Sequence, residues 1–526
     1  MFSTIVSGAV NGIESYLVKV EVDVSDGLPC IDMVGFLSSE VKEAKERVRV
    51  SLRNSGYTIP TKRVTVNLSP ANIRKDGSAY DLPIAIGILS AIKIINEEHI
   101  KKTLVIGELG LDGEVRFVKG ILPIVMEAKA KGIKRCIIPV SNLEEGRVIE
   151  GVAVFGVTNI LEVIEIVKND ESSEQSEIYF ASDEKYKQKL EEVIDFDMQE
   201  HKRFDSLDFA GVNGQEIVKR AAEVAAAGFH HLLIVGPPGS GKTMIAKRIP
   251  GILPPMTIQE CLEVSKIYSV SGLLQNQTSL IKKRPFLNPH HTVSEQALTG
   301  GGRIPRPGMI SLAHRGVLFL DEIPEFKRNN LDIMRQPIED KKVQIARSYG
   351  TYTFPADFML VGAMNPCPCG YFPDRNKCNC TDYEVKRYLN RISGPLLDRI
   401  DVCVEASKME YQDLVSKKKN ETSNEIRKRV MAARQIQIKR YANLNILFNS
   451  ELDAKEIDKF CKLGVREEKL LEQVFRKQNL SARAYHRILK VARTIADLDG
   501  KEDIMEKHLA EAICYRTNEQ KFWENR

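Results

Sequence analysis

The stretch HHLLIVGPPGSGKTMIAKRI, His230 to Ile249, narrows the choice of folds more than any other part of the chain. Four apolar residues, Leu232–Val235, predict a short buried strand. Gly236, Pro237, Pro238, Gly239, Ser240, Gly241, Lys242 and Thr243 follow, an eight-residue pattern whose backbone N–H groups can turn inward on phosphate oxygens. Lys242 offers a cation to the β/γ-phosphates and Thr243 a hydroxyl to Mg²⁺. The next segment predicts a helix with its N-terminus aimed at the same anion. Strand, phosphate loop and helix in this order predict an α/β core that binds a nucleotide.

Two later strands carry complementary groups. GVLFLDE ends four apolar residues in Asp321 and Glu322. At the carboxyl end of a buried parallel strand, Asp321 would hold a metal and Glu322 would orient or deprotonate water. Without the upstream loop, the same residues would read as an acidic turn. FMLVGAM ends at Asn365, an amide placed to hold attacking water or the γ-phosphate. GPLLDRID presents Arg399, and SARAYHRIL presents Arg483 on a helix capped by Ser481. Alone, each arginine would be a surface salt bridge; supplied by a neighbouring subunit, an arginine stabilises phosphoryl-transfer charge.

The 526 residues suffice for about three domains. LPIAIGILSAIKII, the most apolar run, is broken by Lys93, so no membrane span is expected. MFSTIVSGAVNG lacks a basic leader and a long apolar core, so no secretory signal is expected either. Six of the ten cysteines are scattered, which points to a reducing, cytoplasmic setting. The net charge of +5 is uneven: acidic residues crowd the segment after residue 165, and the remainder of the chain is basic. That bias suits a polyanionic partner, or simply a lysine-rich solvated surface.

Phosphate loop, FLDE, terminal asparagine, LLDR arginine and a helical arginine in this order resemble an AAA+ ATPase. HTVSEQALTGGG and RPGMISLAHRGVLFLDE resemble its magnesium-chelatase-like branch. RPFLNPHHTVSEQALTGGG, MNPCPCGY, GPLLDRID and VKEAKERVRVSLRNSGY are similar to the YifB/ComM family over nearly the whole chain. The resemblance implies a parallel-sheet P-loop core and ATP and Mg²⁺ as cofactors. It also implies a homo-oligomeric, hexameric ring hydrolysing ATP at subunit interfaces. The activity it implies is that of a DNA helicase promoting branch migration in DNA uptake and natural transformation. By position, Arg399 looks like a trans-acting arginine finger and Arg483 like a sensor on the lid. The glycine-rich Thr299–Gly308 would tip a helix-2 insertion. VQIARSYGTYTF alternates and turns at Gly350, predicting a hairpin that lines a pore in related motors. Arg303, Arg306 and Arg347 are then candidate contacts to the DNA backbone, against the plainer reading of solvated arginines.

The expected domains are residues 1–168, an acidic linker 169–205, an ATPase core 206–408 and a helical lid 409–526. The first resembles the α+β proteolytic domain of Lon. However, RKDGSAYDLP puts Ala79 where the nucleophile belongs and leaves Ser78 one place off. Leu122 stands at the lysine position, with Lys119 nearby. Loss of the dyad predicts a non-proteolytic scaffold. An ATP-dependent protease, and a chelatase-type motor that remodels a protein partner, stand as the competing functions.

MNPCPCGYFPDRNKCNC places Cys367, Cys369, Cys378 and Cys380 in a C-x-C-x₈-C-x-C pattern. Four thiolates can close a tetrahedral Zn²⁺ site, although the one-residue spacing is tighter than usual. Turn-forming Gly370, Pro373, Asp374 and Asn376 disfavour four core residues sharing no role; redox chemistry is the other alternative.

Overall fold

The structure is a computed structural model that describes residues 1–168, 207–274, 280–348, 350–408, 420–444, 446–478 and 480–523. The expected acidic linker lies outside the described residues.

The N-terminal unit is built on a seven-stranded mixed sheet. Its strand order is Cys30–Val34, Arg63–Ser69, Glu14–Ser25, Phe2–Asn11, Thr103–Val105, Arg135–Pro139 and Ala153–Val157. Strict alternation decides which face is buried: Val18, Val20, Val22 and Val24 all point inward. As the helical spacing predicts, Ser39–Asn54 is a helix that buries Val41, Ala44, Val48 and Leu52. Ser38 caps it by accepting the Val41 N–H. Helix Asp81–Ala91 is buried along its whole length.

The second unit carries a five-stranded sheet in the order Phe286–Leu287, Val317–Leu320, Met359–Met364, Leu232–Val235 and Val402–Glu405. Every neighbouring pair is parallel. The strand first in sequence therefore lies between the fourth and the fifth. Its residues and those of Val317–Leu320 are buried throughout, as an apolar run covered on both faces must be. The predicted hairpin pairs Lys342–Arg347 with Gly350–Pro355, Arg347 opposite Gly350. Beyond residue 420 the chain is helical, with long helices at Ser423–Arg440, Val465–Gln478, Ala482–Leu498 and Glu506–Trp523. No described helix is long and apolar enough to cross a membrane.

Close packing around the fourth strand makes a direct stability prediction. A Cβ on Gly362 would sit 2.3 Å from Ile323 Cδ1 and 3.1 Å from Leu233 Cδ1. Gly362→Ala should therefore cost about 1–3 kcal/mol through overpacking. A urea midpoint equal to that of the unaltered protein would show that Ile323 can yield at no cost.

Candidate active site

Strand register brings the phosphate loop and Asn365 together. Val235 lies opposite Met364 on one side and Glu405 on the other. Gly236 N–H then donates to Met364 O at 3.1 Å, so Gly236 and Asn365 leave the sheet side by side. Gly239 and Gly241 adopt φ of +74° and +82°, which a side chain would disfavour. At the end of the loop, helix Lys242–Ala246 begins.

Lys242 is 9% exposed. Its Nζ donates to Gly236 O and Pro237 O, both at 2.8 Å, and to Asn365 Oδ1 at 3.2 Å. Burial pushes its pKa down to about 8, against the opposing pull of the Asp321 and Glu322 carboxylates. Thr243 Oγ1 donates to Asp321 Oδ2 at 2.7 Å, joining the loop to the end of the third strand. The Glu322 N–H donates to Asp321 Oδ1 at 3.0 Å. Glu322 itself has φ of +51° and an exposed side chain. A non-glycine residue held there costs about 1–3 kcal/mol, strain of the kind that aims a side chain at an active site.

These donors fit Mg²⁺ and a nucleoside triphosphate. Thr243 and Asp321 present a hydroxyl and a carboxylate oxygen to the same point, a donor pair that suits a hard cation. Lys242 and the loop backbone supply positive charge to phosphate. When bound, Mg²⁺–ATP supplies the scissile anhydride and neutralises its charge. The chain's own contribution is to hold Lys242 and Asn365 within one hydrogen bond and to present Glu322 to solvent.

Both candidate arginines lie at the other end of the sheet. The Asp401 and Val402 N–H groups donate to His231 O, so Arg399 precedes the amino ends of the first and fifth strands. Four-residue strands separate that edge from the phosphate loop by about 13 Å. Arg399 is bonded to Glu339 and donates to Pro395 O at 2.6 Å. Arg483 approaches the same Glu339 at 3.8 Å and is 63% exposed. Both line a cleft of about 380 Å³ with His231, Asp401 and Arg487. Ser481 caps the helix of Arg483 by accepting the Ala484 N–H, as the sequence predicts. Glu339 was not foreseeable: it lies in RQPIED, which carries no motif, and only tertiary packing pairs it with the arginines.

The three candidate DNA contacts converge. Gly300–Gly301 and Arg306–Pro307 form a short antiparallel ladder, and Arg347 from the hairpin donates to Gly302 O at 3.2 Å. Arg303, Arg306 and Arg347 are all exposed. In the N-terminal unit, Ala79 packs against the hydrophobic cluster that contains Leu122. Ser78 donates to Glu108. The stem of Lys119 lies against Gly272 of the second unit, where a Cβ would come within 2.6 Å of its Cε. The sulfurs of Cys367, Cys369, Cys378 and Cys380 all lie within 4.8 Å of one another, compatible with a zinc site.

The sheet order settles the class. A first strand inserted between the fourth and fifth, with its loop beside the ends of the third and fourth, makes this a P-loop ATPase of the AAA+ type. Comparison with known proteins narrows it. The family description "Magnesium chelatase, subunit ChlI" matches residues 208–414, "Subunit ChlI of Mg-chelatase" matches 20–142, and "Magnesium chelatase, subunit ChlI C-terminal" matches 420–516. The Haemophilus influenzae competence protein ComM is 42% identical over 514 residues, 97% of this chain and 96% of that protein. The uncharacterized protein YifB of Escherichia coli is 41% identical over 97% and 96% of the two chains. The 67 kDa magnesium-chelatase subunit of Heliobacterium mobile is 25% identical over 31% of this chain. The chain belongs to the ComM/YifB family.

With its pKa lowered by burial, Lys242 should make nucleotide binding sensitive to pH. Its folded pKa is depressed to about 8, so the cation that phosphate needs is present below that value. Above it, binding must take up a proton, and affinity should fall towards about tenfold per pH unit. Titration with a fluorescent ATP analogue from pH 7 to 9.5 should show this fall. Lys242→Ala should bind weakly with a flat profile over the same range.

Proposed function

We propose that this protein is a ring-forming ATPase that moves DNA, a helicase promoting branch migration during DNA uptake and recombination. ATP and Mg²⁺ are its cofactors, with Gly236, Pro237, Pro238, Gly239, Ser240, Gly241, Lys242 and Thr243 cradling the nucleotide. Thr243 and Asp321 hold the metal, Glu322 activates water and Asn365 positions it. Arg399 and Arg483 complete the site of a neighbouring copy in a homo-oligomer, a hexamer. Zn²⁺ is the ion that suits the four cysteines, and the cytoplasm is the compartment that keeps ten cysteines unpaired.

The observation that carries this reading is the division of the site. Phosphate loop and acidic pair occupy one end of the sheet, and two arginines sharing Glu339 occupy the other. Supplied in trans, an arginine stabilises the transferring phosphoryl group. Convergence of Arg303, Arg306 and Arg347 supports a phosphate-backbone track. The competence role in the name of the Haemophilus relative supports DNA as the polymer.

Arg399→Ala should lower ATP turnover about 10³-fold while leaving nucleotide binding in place. Mixed with Lys242→Ala, itself inactive, it should regain activity, because one variant's loop meets the other's arginine. Mixed variants that stay inactive would rule out the shared site. Single-stranded or branched DNA should stimulate turnover, less so as salt rises. A flat response at low salt would replace the DNA reading with a chelatase-type motor acting on a protein partner.

A further inference from the structure

The cysteine loop does more than close on itself, because its backbone rests on the phosphate loop. Cys367 Sγ lies 3.3 Å from Cys369 Sγ and 3.7 Å from Cys378 Sγ, and Cys369 Sγ lies 3.5 Å from Cys378 Sγ. A tetrahedral Zn²⁺ with sulfur bonds near 2.3 Å places its sulfurs about 3.8 Å apart, so little movement is needed to close the site. No cysteine is in a disulfide. The N–H groups of Gly370 and Phe372 donate to Cys367 Sγ at 3.2 Å and 3.4 Å, bonds that fix the direction of the sulfur. Arg375 closes the loop by donating to Cys380 O at 2.8 Å while its guanidinium stacks 5.1 Å from the Phe372 ring.

Gly370 lies between the sulfurs and the nucleotide site. It adopts φ of +87°, and a Cβ there would fall 2.4 Å from Pro238 Cδ and 3.7 Å from Asn365 Cγ. Pro238 belongs to the phosphate loop, and Asn365 accepts from Lys242. The loop therefore presses on Pro238 from one side while its first cysteine is only two residues beyond Asn365. Tyr388, on the helix Asp382–Leu389 that follows the last cysteine, is bonded to the Asn365 backbone and shares a buried cluster with Cys367.

We propose that one Zn²⁺ bound by Cys367, Cys369, Cys378 and Cys380 acts as a clamp, seating the Gly370 backbone against Pro238 and so fixing the phosphate loop relative to Asn365. All four zinc positions are filled by protein, so the ion takes no part in the chemistry. Gly370 and Pro238 are positioning residues, and the inference rests on the zinc and nucleotide assignments above.

The test separates zinc from clamp by measuring metal content and nucleotide affinity on the same full-length samples. Elemental analysis should find about one zinc per chain, and loading with Co²⁺ should give the intense visible bands of a tetrahedral thiolate complex. Cys378→Ser should lose both signals. Protein without stoichiometric zinc and without the cobalt bands would overturn the metal site. Gly370→Ala and Pro238→Gly should each weaken binding of a fluorescent ATP analogue about tenfold with zinc content unchanged. Stripping zinc with a thiol-specific mercurial and a chelator should weaken binding to the same degree. If zinc is present but its removal and both substitutions leave affinity unaltered, the clamp fails while the zinc site stands. If Gly370→Ala loses zinc, reduced affinity supports the clamp and retained affinity overturns it. A failure of DNA stimulation would leave all of these readouts in place.

Discussion

Threading of Leu232–Val235 between Met359–Met364 and Val402–Glu405 is the constraint on which the active site depends. Because this strand is parallel to both neighbours, every strand-terminal group on its carboxyl side reaches one edge. Gly236 and Asn365 emerge together, Asp321 emerges one strand further out, and Thr243 bridges back to it. The same threading sends the arginine-bearing segment to the opposite edge, where the His231 carbonyl accepts the Asp401 and Val402 N–H groups. Within one chain, the length of the sheet keeps these sets apart. On the proposed reading, a second copy is required for geometric reasons, and hydrolysis is thereby tied to assembly.

A buried polar network ties the helical region to the base of that strand. Asp497 receives Arg440 at 2.8 Å, Arg493 at 3.1 Å and Asn449 Nδ2 at 2.9 Å. Asn449 Nδ2 also donates to Thr494 Oγ1 at 3.0 Å, and Thr494 meets His230 Nε2 at 2.8 Å. A buried carboxylate bonded to this many donors is expensive to disrupt, because losing one partner leaves the others uncompensated. Gly228 makes the approach possible: a Cβ there would lie 2.3 Å from His230 Nε2 and 2.6 Å from Thr494 Oγ1. Thr494 and Arg483 share the helix Ala482–Leu498. One helix therefore carries both the exposed arginine and a member of the network at the foot of Leu232–Val235.

The nucleotide edge was legible in the sequence because its parts are local. A short apolar run, a glycine-rich loop and the Lys242–Thr243 pair that opens a helix all lie within one window. Strand ends at Asp321 and Asn365 were legible for the same reason. The opposite edge was not: Glu339 reaches Arg399 and Arg483 only after three separate segments pack, and no spacing announces it. Contact of Gly370 with Pro238 is equally silent in sequence, since it depends on the turn of the cysteine loop and not on its composition. The hairpin is legible from alternation, and Gly350 opens its second strand opposite Arg347.

The stretch Lys119–Leu122 of the N-terminal unit meets the ATPase unit. Leu122 N–H donates at 2.8 Å to Glu145, a buried carboxyl that also accepts from Asn142 Nδ2 at 3.0 Å and from Ser269 of the ATPase unit. Burial pushes the Glu145 pKa up, and the three donors oppose that rise without a neighbouring cation. Lys119 extends along Gly272 beside the same junction, and Gly120 N–H donates to Ser269 O at 3.1 Å. Ser269 and Gly272 end the helix Ile258–Ser271, which starts with a Thr257–Glu260 capping box. The stretch Lys119–Leu122 is thus committed to the boundary with the ATPase unit. A carboxyl satisfied there by donors from both units ties the end of the ATPase helix to the first unit through Ser269.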